Sequence, residues 1–271
     1  MIDDISDIVA LYNSDPEKEH IRLERHQLEH DITLRYLNRY LPHEGSILEV
    51  GAATGRYTLE LAGRGHTLTA VDISEKLIER CRKRIEEQGL EKHVQFLVAD
   101  ARDLNEVPEK EFDAVLLMGP LYHLVEDEDR KTALREAFSR LREGGIIFSS
   151  FISRFGILGG VLKLFPEWIE NQPEVRSVIE KGSNPENLRI GDFRGYFATV
   201  SEIVPLHQGI GFETLVLAGV EPAISADDES YNSLQGKRRQ LWLDLFFEAS
   251  TKESVIGASR HLLYIGRKRE K

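Results

Sequence analysis

Glu49, Gly51, Ala53 and Gly55 fall within the run Ile47-Leu48-Glu49-Val50-Gly51-Ala52-Ala53-Thr54-Gly55, and Asp72 closes the next apolar segment. Such a set can bind a nucleotide-bearing ligand. Glycine lets the backbone approach a ligand closely, the start of a following helix offers unbonded N–H groups, and an acid ending the second strand accepts hydrogen bonds from ribose hydroxyls. Ala53 stands where a glycine is usual. Because a Cβ disfavours the left-handed region, its φ is expected to be negative. Upstream, His26-Gln27-Leu28-Glu29-His30 matches the H-x-x-E-H signature of a zinc peptidase, with two imidazoles on one helix face. The pattern is short, its helix is otherwise charged and no downstream ligand completes it, so no metal is assigned.

The elements that must position these residues follow from periodicity and punctuation. Strands are predicted over 47–50, 67–71, 94–98, 112–118, 146–151, 212–217 and 261–266. Helices are predicted over 56–62, 75–88 with Ser74 as N-cap and Gly89 as stop, 129–142 ending at Gly144-Gly145, and 200–208. A long helix from Asp15 and Pro16 to Pro42 precedes the first strand, and another over 231–249 carries Leu234, Leu241, Leu245 and Phe246 on a face. Alternating strands and helices predict an α/β fold, a doubly wound, mostly parallel sheet. Between about 152 and 200 the periodicity breaks into aromatics, glycines and Pro166, Pro173 and Pro185, which reads as an inserted lid. The expected organisation is a helical cap over 1–44, a core over 45–151 and 207–271, and a lid and substrate region over 152–206.

Composition narrows the function classes. The net charge of −11 argues against a broad nucleic-acid surface, which needs clustered Lys and Arg. The basic runs Lys237-Arg238-Arg239 and Arg267 to Lys271 read as a solvated face and a tail. Cys81 is the single cysteine, so no intrachain disulfide forms, consistent with a reducing cytoplasm; with Leu77, Ile78 and Ile85 it reads as core. The acidic start lacks the basic region of a signal peptide, and the most apolar stretch, 144–165, contains Arg154 and Lys163. A cytoplasmic protein with no membrane partner is expected; oligomeric state is left open.

Glu49, Gly51, Ala53 and Gly55 resemble motif I of the class I S-adenosylmethionine (SAM)-dependent methyltransferases, usually acid-x-Gly-x-Gly-x-Gly. That resemblance implies a seven-stranded Rossmann-like sheet with the last strand antiparallel. It implies that Asp72, with Ile73 beside it, meets the ribose. In Val98-Ala99-Asp100-Ala101, Asp100 takes the adenine amino group and the Ala101 backbone a ring nitrogen. Met118 and Gly119 then line the methionine part of SAM, while Tyr122 and His123 point toward the acceptor. His123 is the candidate general base, with a structural role as its alternative.

In the same resemblance the N-terminal segment caps the pocket, making Tyr12, Arg22 and His26 candidate cofactor or substrate contacts; surface ion pairing is the alternative for Arg22. Arg154, Arg189 and Arg194 lie in or near the lid with Phe151, Phe155, Phe165, Trp168, Phe193, Tyr196 and Phe197. One of these arginines can bind a substrate carboxylate or phosphate, or serve structure alone. The expectation is a methyltransferase that uses SAM, yields S-adenosylhomocysteine and acts on a small molecule. Gly119-Pro120-Leu121-Tyr122 stands where many amino-group methyltransferases of DNA and protein carry Asn-Pro-Pro-Tyr. A non-catalytic SAM-binding module and a nicotinamide-dependent oxidoreductase are the alternatives.

Overall fold

In the computed structural model, which describes residues 3–108, 111–183, 194–222 and 227–269, eight strands form one sheet. They are β1 (Ser46–Val50), β2 (Thr67–Asp72), β3 (Val94–Val98), β4 (Phe112–Leu117), β5 (Leu141–Ser153), β6 (Phe197–Ala198), β7 (Phe212–Gly219) and β8 (His261–Lys268). The order is β3-β2-β1-β4-β5-β8-β7. Strands β1 to β5 pair in parallel, while β8 runs antiparallel between β5 and β7. The expected sheet is thus present with one strand more. The two-residue β6 pairs in parallel with Ile152 and Ser153, beyond the last residue of β5 that β4 reaches.

The reversal of β8 matters for the site. Its first residue, His261, pairs with Ile152 near the end of β5. A side chain at the start of β8 therefore lies at the carboxyl edge of the parallel strands, where open α/β sheets bind ligands.

Helices α1 (Ser6–Ser14), α2 (Pro16–Arg25) and α3 (Gln27–Tyr40) precede the sheet. The helix expected from Asp15 and Pro16 to Pro42 starts where expected but is broken once, at His26, and a further helix, α1, precedes it. Asp15 leaves helical geometry at φ −150° and caps α2 by accepting from the Lys18 amide, while His26 at φ −85° and ψ 66° separates α2 from α3. Within the sheet run α4 (Arg56–Ala62), α5 (Glu75–Glu87), α6 (Pro120–His123) and α7 (Asp127–Arg140) connect strands. Ser74 caps α5 as expected, accepting from the Leu77 amide at 3.2 Å. Gly144-Gly145 does not end α7 but lies inside β5. Gly144 adopts φ +73° there, where the β4–β5 register shifts.

After β5 come α8 (Leu158–Leu164), α9 (Gln172–Lys181), α10 (Val200–Ile210), α11 (Asp228–Asn232), α12 (Gly236–Ala249) and α13 (Glu253–Ala258). Of the expected lid, α10 belongs to the core: it packs on α7 and β7, and Ile203 is fully buried. Around α8 and α9 a small separate core gathers Ile152, Val161, Val178 and Phe197. The helix expected over 231–249 is two helices, α11 and α12. Leu243 and Phe246 are its buried residues, whereas Leu241 and Leu245 face solvent. Apolar side chains lie in clusters on both faces of the sheet. Among the described residues no helix is long and apolar enough to cross a membrane.

Candidate active site

The turn after β1 is held by backbone and by one acid. Gly51 and Ala52 donate to the Val71 carbonyl at 2.8 and 3.0 Å, tying the turn to β2. Asp72 then accepts from the Ala53 amide at 2.8 Å on one oxygen and from the Ser74 amide at 2.9 Å on the other. Burial pushes Asp72 up to about 6, against the pull of those amides. Ala53 adopts φ +49°, not the negative value expected. A left-handed alanine costs about 1–2 kcal/mol, and the Asp72 bond to its own amide helps hold it there. Gly51 and Gly55 are also left-handed, at φ +84° and +79°. A Cβ on Gly51 would lie 2.7 Å from the Met118 carbonyl oxygen, so the β1 and β4 turns fit only with glycine there.

This turn forms one wall of a cavity at the carboxyl edge of the sheet. Glu49, Gly51, Ala53, Asp72, Ile73, Asp100, Ala101, Met118 and Gly119 all line it, so nine of the ten expected cofactor residues converge. Gly55 stands behind the turn, where a Cβ would meet Cys81 Sγ. Glu49 accepts from Thr58 Oγ1 at 2.7 Å and has no cationic partner among the described residues; burial pushes its carboxyl up to about 8. Asp100 is gripped by Arg102, Nη2 to Oδ2 at 2.6 Å.

The roof is the N-terminal cap. Tyr12, Glu19, Arg22 and Glu29 line the cavity from α1, α2 and α3. Tyr12 Oη lies 2.8 Å from His123 Nε2, and Arg22 chelates Glu19 through Nε and Nη2 at 2.7 and 2.6 Å. Tyr122 and His123, on α6, line the cavity too. Burial pushes His123 down to about 4, so the ring is neutral. Asn13 fastens the cap to the sheet run by accepting from Ser74 Oγ at 2.7 Å.

Three expected substrate contacts lie elsewhere. Arg154 is buried against the Phe197 carbonyl at 3.1 Å and Glu202 at 3.1 Å, anchoring β6. Arg194 pairs with Asp3 and Asp7, strapping down the segment before α1. Neither lines the cavity, because each guanidinium has carboxylates of its own close by. His26 stands behind the wall, its Nδ1 2.6 Å from Arg260 Nη2 and 3.2 Å from Asp228 Oδ1. Among the described residues, none from 151 to 219 lines the cavity, and the cap supplies its roof. Phe155 is half exposed, while Phe151, Tyr196 and Phe197 are buried in packing. Arg189, Phe193 and Pro185 lie outside the described residues.

The structure adds residues that the sequence reading left aside. Glu29 and His261 line the cavity, with Glu221 directly behind. The H-x-x-E-H pattern does not assemble as a zinc pair, because the break at His26 puts it before the helix that holds His30. His26, Glu29 and Glu221 do bring ligand atoms within 4.8 Å of one another. The Arg260 guanidinium occupies that cluster, 2.5 Å from Glu221 and 2.6 Å from His26. A signal for His261 was available: a last strand that reverses must begin at the ligand edge.

Comparison with known proteins agrees with this geometry. Residues 47–145 match the family described as "Methyltransferase domain". The tRNA 5-carboxymethoxyuridine methyltransferase of Escherichia coli (strain K12) is 28% identical over 136 residues, 49% of this chain and 51% of that one. The ubiquinone biosynthesis O-methyltransferase of Thiobacillus denitrificans (strain ATCC 25259 / T1) is 29% identical over 173 residues, 58% of this chain and 72% of that one. The match spans about half the length of the first of these relatives. Among solved structures, the 1,6-didemethyltoxoflavin-N1-methyltransferase of Burkholderia thailandensis, with bound 1,6-didemethyltoxoflavin and S-adenosylhomocysteine, superposes with a TM-score of 0.59 at 17% identity, covering 98% of this chain and 87% of that one. The domain match, the sheet order and the converging motif residues agree: residues 47–145 carry a methyltransferase domain of the class I SAM-dependent kind, set in a Rossmann-like sheet.

Proposed function

We propose that this protein transfers a methyl group from SAM to a small-molecule acceptor. The observation that carries the reading is convergence: Glu49, the Gly51 turn, Asp72, Asp100 and Met118 line one cavity that helices α1 to α3 roof over. Asp72 keeps lone pairs after its two amide bonds, which supports a role in accepting hydrogen bonds from the ribose hydroxyls. Asp100 and Ala101 stand at the adenine. Glu49 is a buried acid with no cationic partner among the described residues, and the single ammonium of SAM complements it. Tyr122, His123 and Tyr12 form the wall beside the donor methyl.

The sulfonium is already activated, so the protein's task is alignment and exclusion of water. Holding two reactants in an attack geometry is worth roughly 7–11 kcal/mol. The acceptor's lone pair attacks the methyl carbon in line, and the C–S bond pair stays on sulfur as S-adenosylhomocysteine leaves. A roofed cavity fits a small acceptor, and the net charge of −11 does not favour a polyanion.

The test is a transfer assay with methyl-labelled SAM against three separate fractions: small metabolites, total tRNA and protein. Label in the metabolite fraction, lost in Asp72→Ala, is the expected result. Label confined to tRNA or protein overturns the small-molecule reading. Tight SAM binding with no label anywhere supports a binding module instead.

A further inference from the structure

Besides the turn residues, the cavity wall carries a carboxylate and an imidazole, Glu29 and His261, while the Arg56 guanidinium in the same wall donates to the Leu23 and His26 carbonyls. Arg22 is chelated by Glu19, and Arg154 and Arg194 lie outside. Glu29 accepts no hydrogen bond from any described residue; its closest ionic neighbour is His261 Nδ1 at 3.6 Å. His261, 7% exposed, places Nδ1 2.5 Å from Glu221 Oε2. That bond makes Nδ1 the donor to the carboxylate and leaves Nε2 as the outer nitrogen of the ring. No described residue bonds to Nε2. Arg260, 2.5 Å from the other oxygen of Glu221, keeps this carboxylate in place.

We propose that Glu29 and His261 form the acceptor pole of the site, that they select a cationic amine, and that His261 is the base that deprotonates it. The proposal rests on the methyltransferase reading above. Glu29 holds the ammonium by a charge-assisted hydrogen bond. One N–H proton passes to His261 Nε2, and the imidazolium is stabilised by Glu221. The freed nitrogen lone pair forms the N–C bond as the C–S bond breaks, and its electron pair stays on sulfur. The product is a methylammonium and S-adenosylhomocysteine, with the proton left on His261. Glu221 is a positioning residue. His123 does not fill the role: its Nε2 faces the Tyr12 hydroxyl at 2.8 Å.

Two probes test this without knowledge of the natural acceptor. Sinefungin carries an ammonium on carbon where SAM carries its methylated sulfur, so it points a cation at the acceptor pole. By calorimetry the wild type is expected to bind sinefungin about tenfold more tightly than S-adenosylhomocysteine, and Glu29→Gln to bring the two within about twofold. The second probe is SAH release from SAM with benzylamine, phenethylamine and tyramine, against phenylacetate and benzyl mercaptan. Turnover with an amine is expected, reduced about 10²-fold or more in His261→Asn while the affinity for S-adenosylhomocysteine stays within about twofold. Equal affinity for sinefungin and S-adenosylhomocysteine in the wild type overturns the proposal, as does turnover with the acid or thiol alone, or with no amine. Failure to bind S-adenosylhomocysteine at all removes the methyltransferase reading instead.

Discussion

The two ends of the cavity are built in opposite ways. The cofactor end comes from one continuous stretch, from Glu49 to Met118, in which each turn after a strand supplies a group. The proposed acceptor end draws Tyr12, Glu29, His123 and His261 from the cap, a short helix and the last strand. Backbone dominates the first end, through left-handed turns and amide bonds to one acid. Ion pairs and imidazoles dominate the second. Local geometry thus shapes the first end, while contacts between distant parts of the chain shape the second.

The comparison predicts that damage at the two ends separates stability from cofactor affinity. The largest stability effect is expected for Arg260→Met. Arg260 and Glu221 are both nearly buried, and removing one partner of such a pair costs about 3–5 kcal/mol. Urea denaturation should show that loss, while the folded fraction binds S-adenosylhomocysteine normally. Gly51→Ala should do the reverse. Its Cβ would press on the Met118 carbonyl at φ +84°, costing about 1–3 kcal/mol and displacing the turn. Affinity for S-adenosylhomocysteine should fall by more than stability does.

Glu49 gives the comparison a pH signature. Its folded value of about 8 lies above its ordinary 4.5, so the folded ligand-free protein binds a proton there that the unfolded chain has released. Stability from this group therefore falls as pH rises from about 5 to 8 and levels off above. When the ligand ammonium meets Glu49, the carboxylate form is favoured and the proton leaves. Calorimetry at pH 7 in buffers of different ionisation enthalpy should detect net proton release on binding, and Glu49→Gln should abolish it. The smallest effect is expected for Ala53→Gly. Relief of left-handed strain, about 1–2 kcal/mol, is offset by about 0.5–1 kcal/mol of added chain entropy. A small rise in Tm is expected, with affinity unchanged.

Legibility in the sequence follows the same division. Helices over 56–62 and near 75–88, and the strands between them, were readable because amphipathic spacing, the Ser74 cap and the strand-turn-helix rhythm are local signals. The cofactor residues followed from those elements. Asp15 was readable as a cap before Pro16, but the break at His26 was not, since His26 is settled by contacts with Asp228 and Arg260, far along the chain. Leu241 and Leu245 show the limit of periodicity. Apolar spacing in α12 does not say which stripe meets the core, and these two face solvent while Leu243 and Phe246 pack inward. Ala53 misled in the other direction: its intrinsic preference was overridden by the turn and its bond to Asp72. The lid reading took aromatic content for a site wall. Tyr12, Glu19 and Arg22 of the cap hold that position instead.

The central claim is tested most directly by calorimetric titration of wild type and Asp72→Ala with S-adenosylhomocysteine. Micromolar binding by the wild type is predicted. The variant should weaken it by at least about a hundredfold, because two hydrogen bonds to a charged acceptor are lost, each worth about 1.5–3 kcal/mol. No binding by the wild type, or equal binding by a folded Asp72→Ala, would contradict the account.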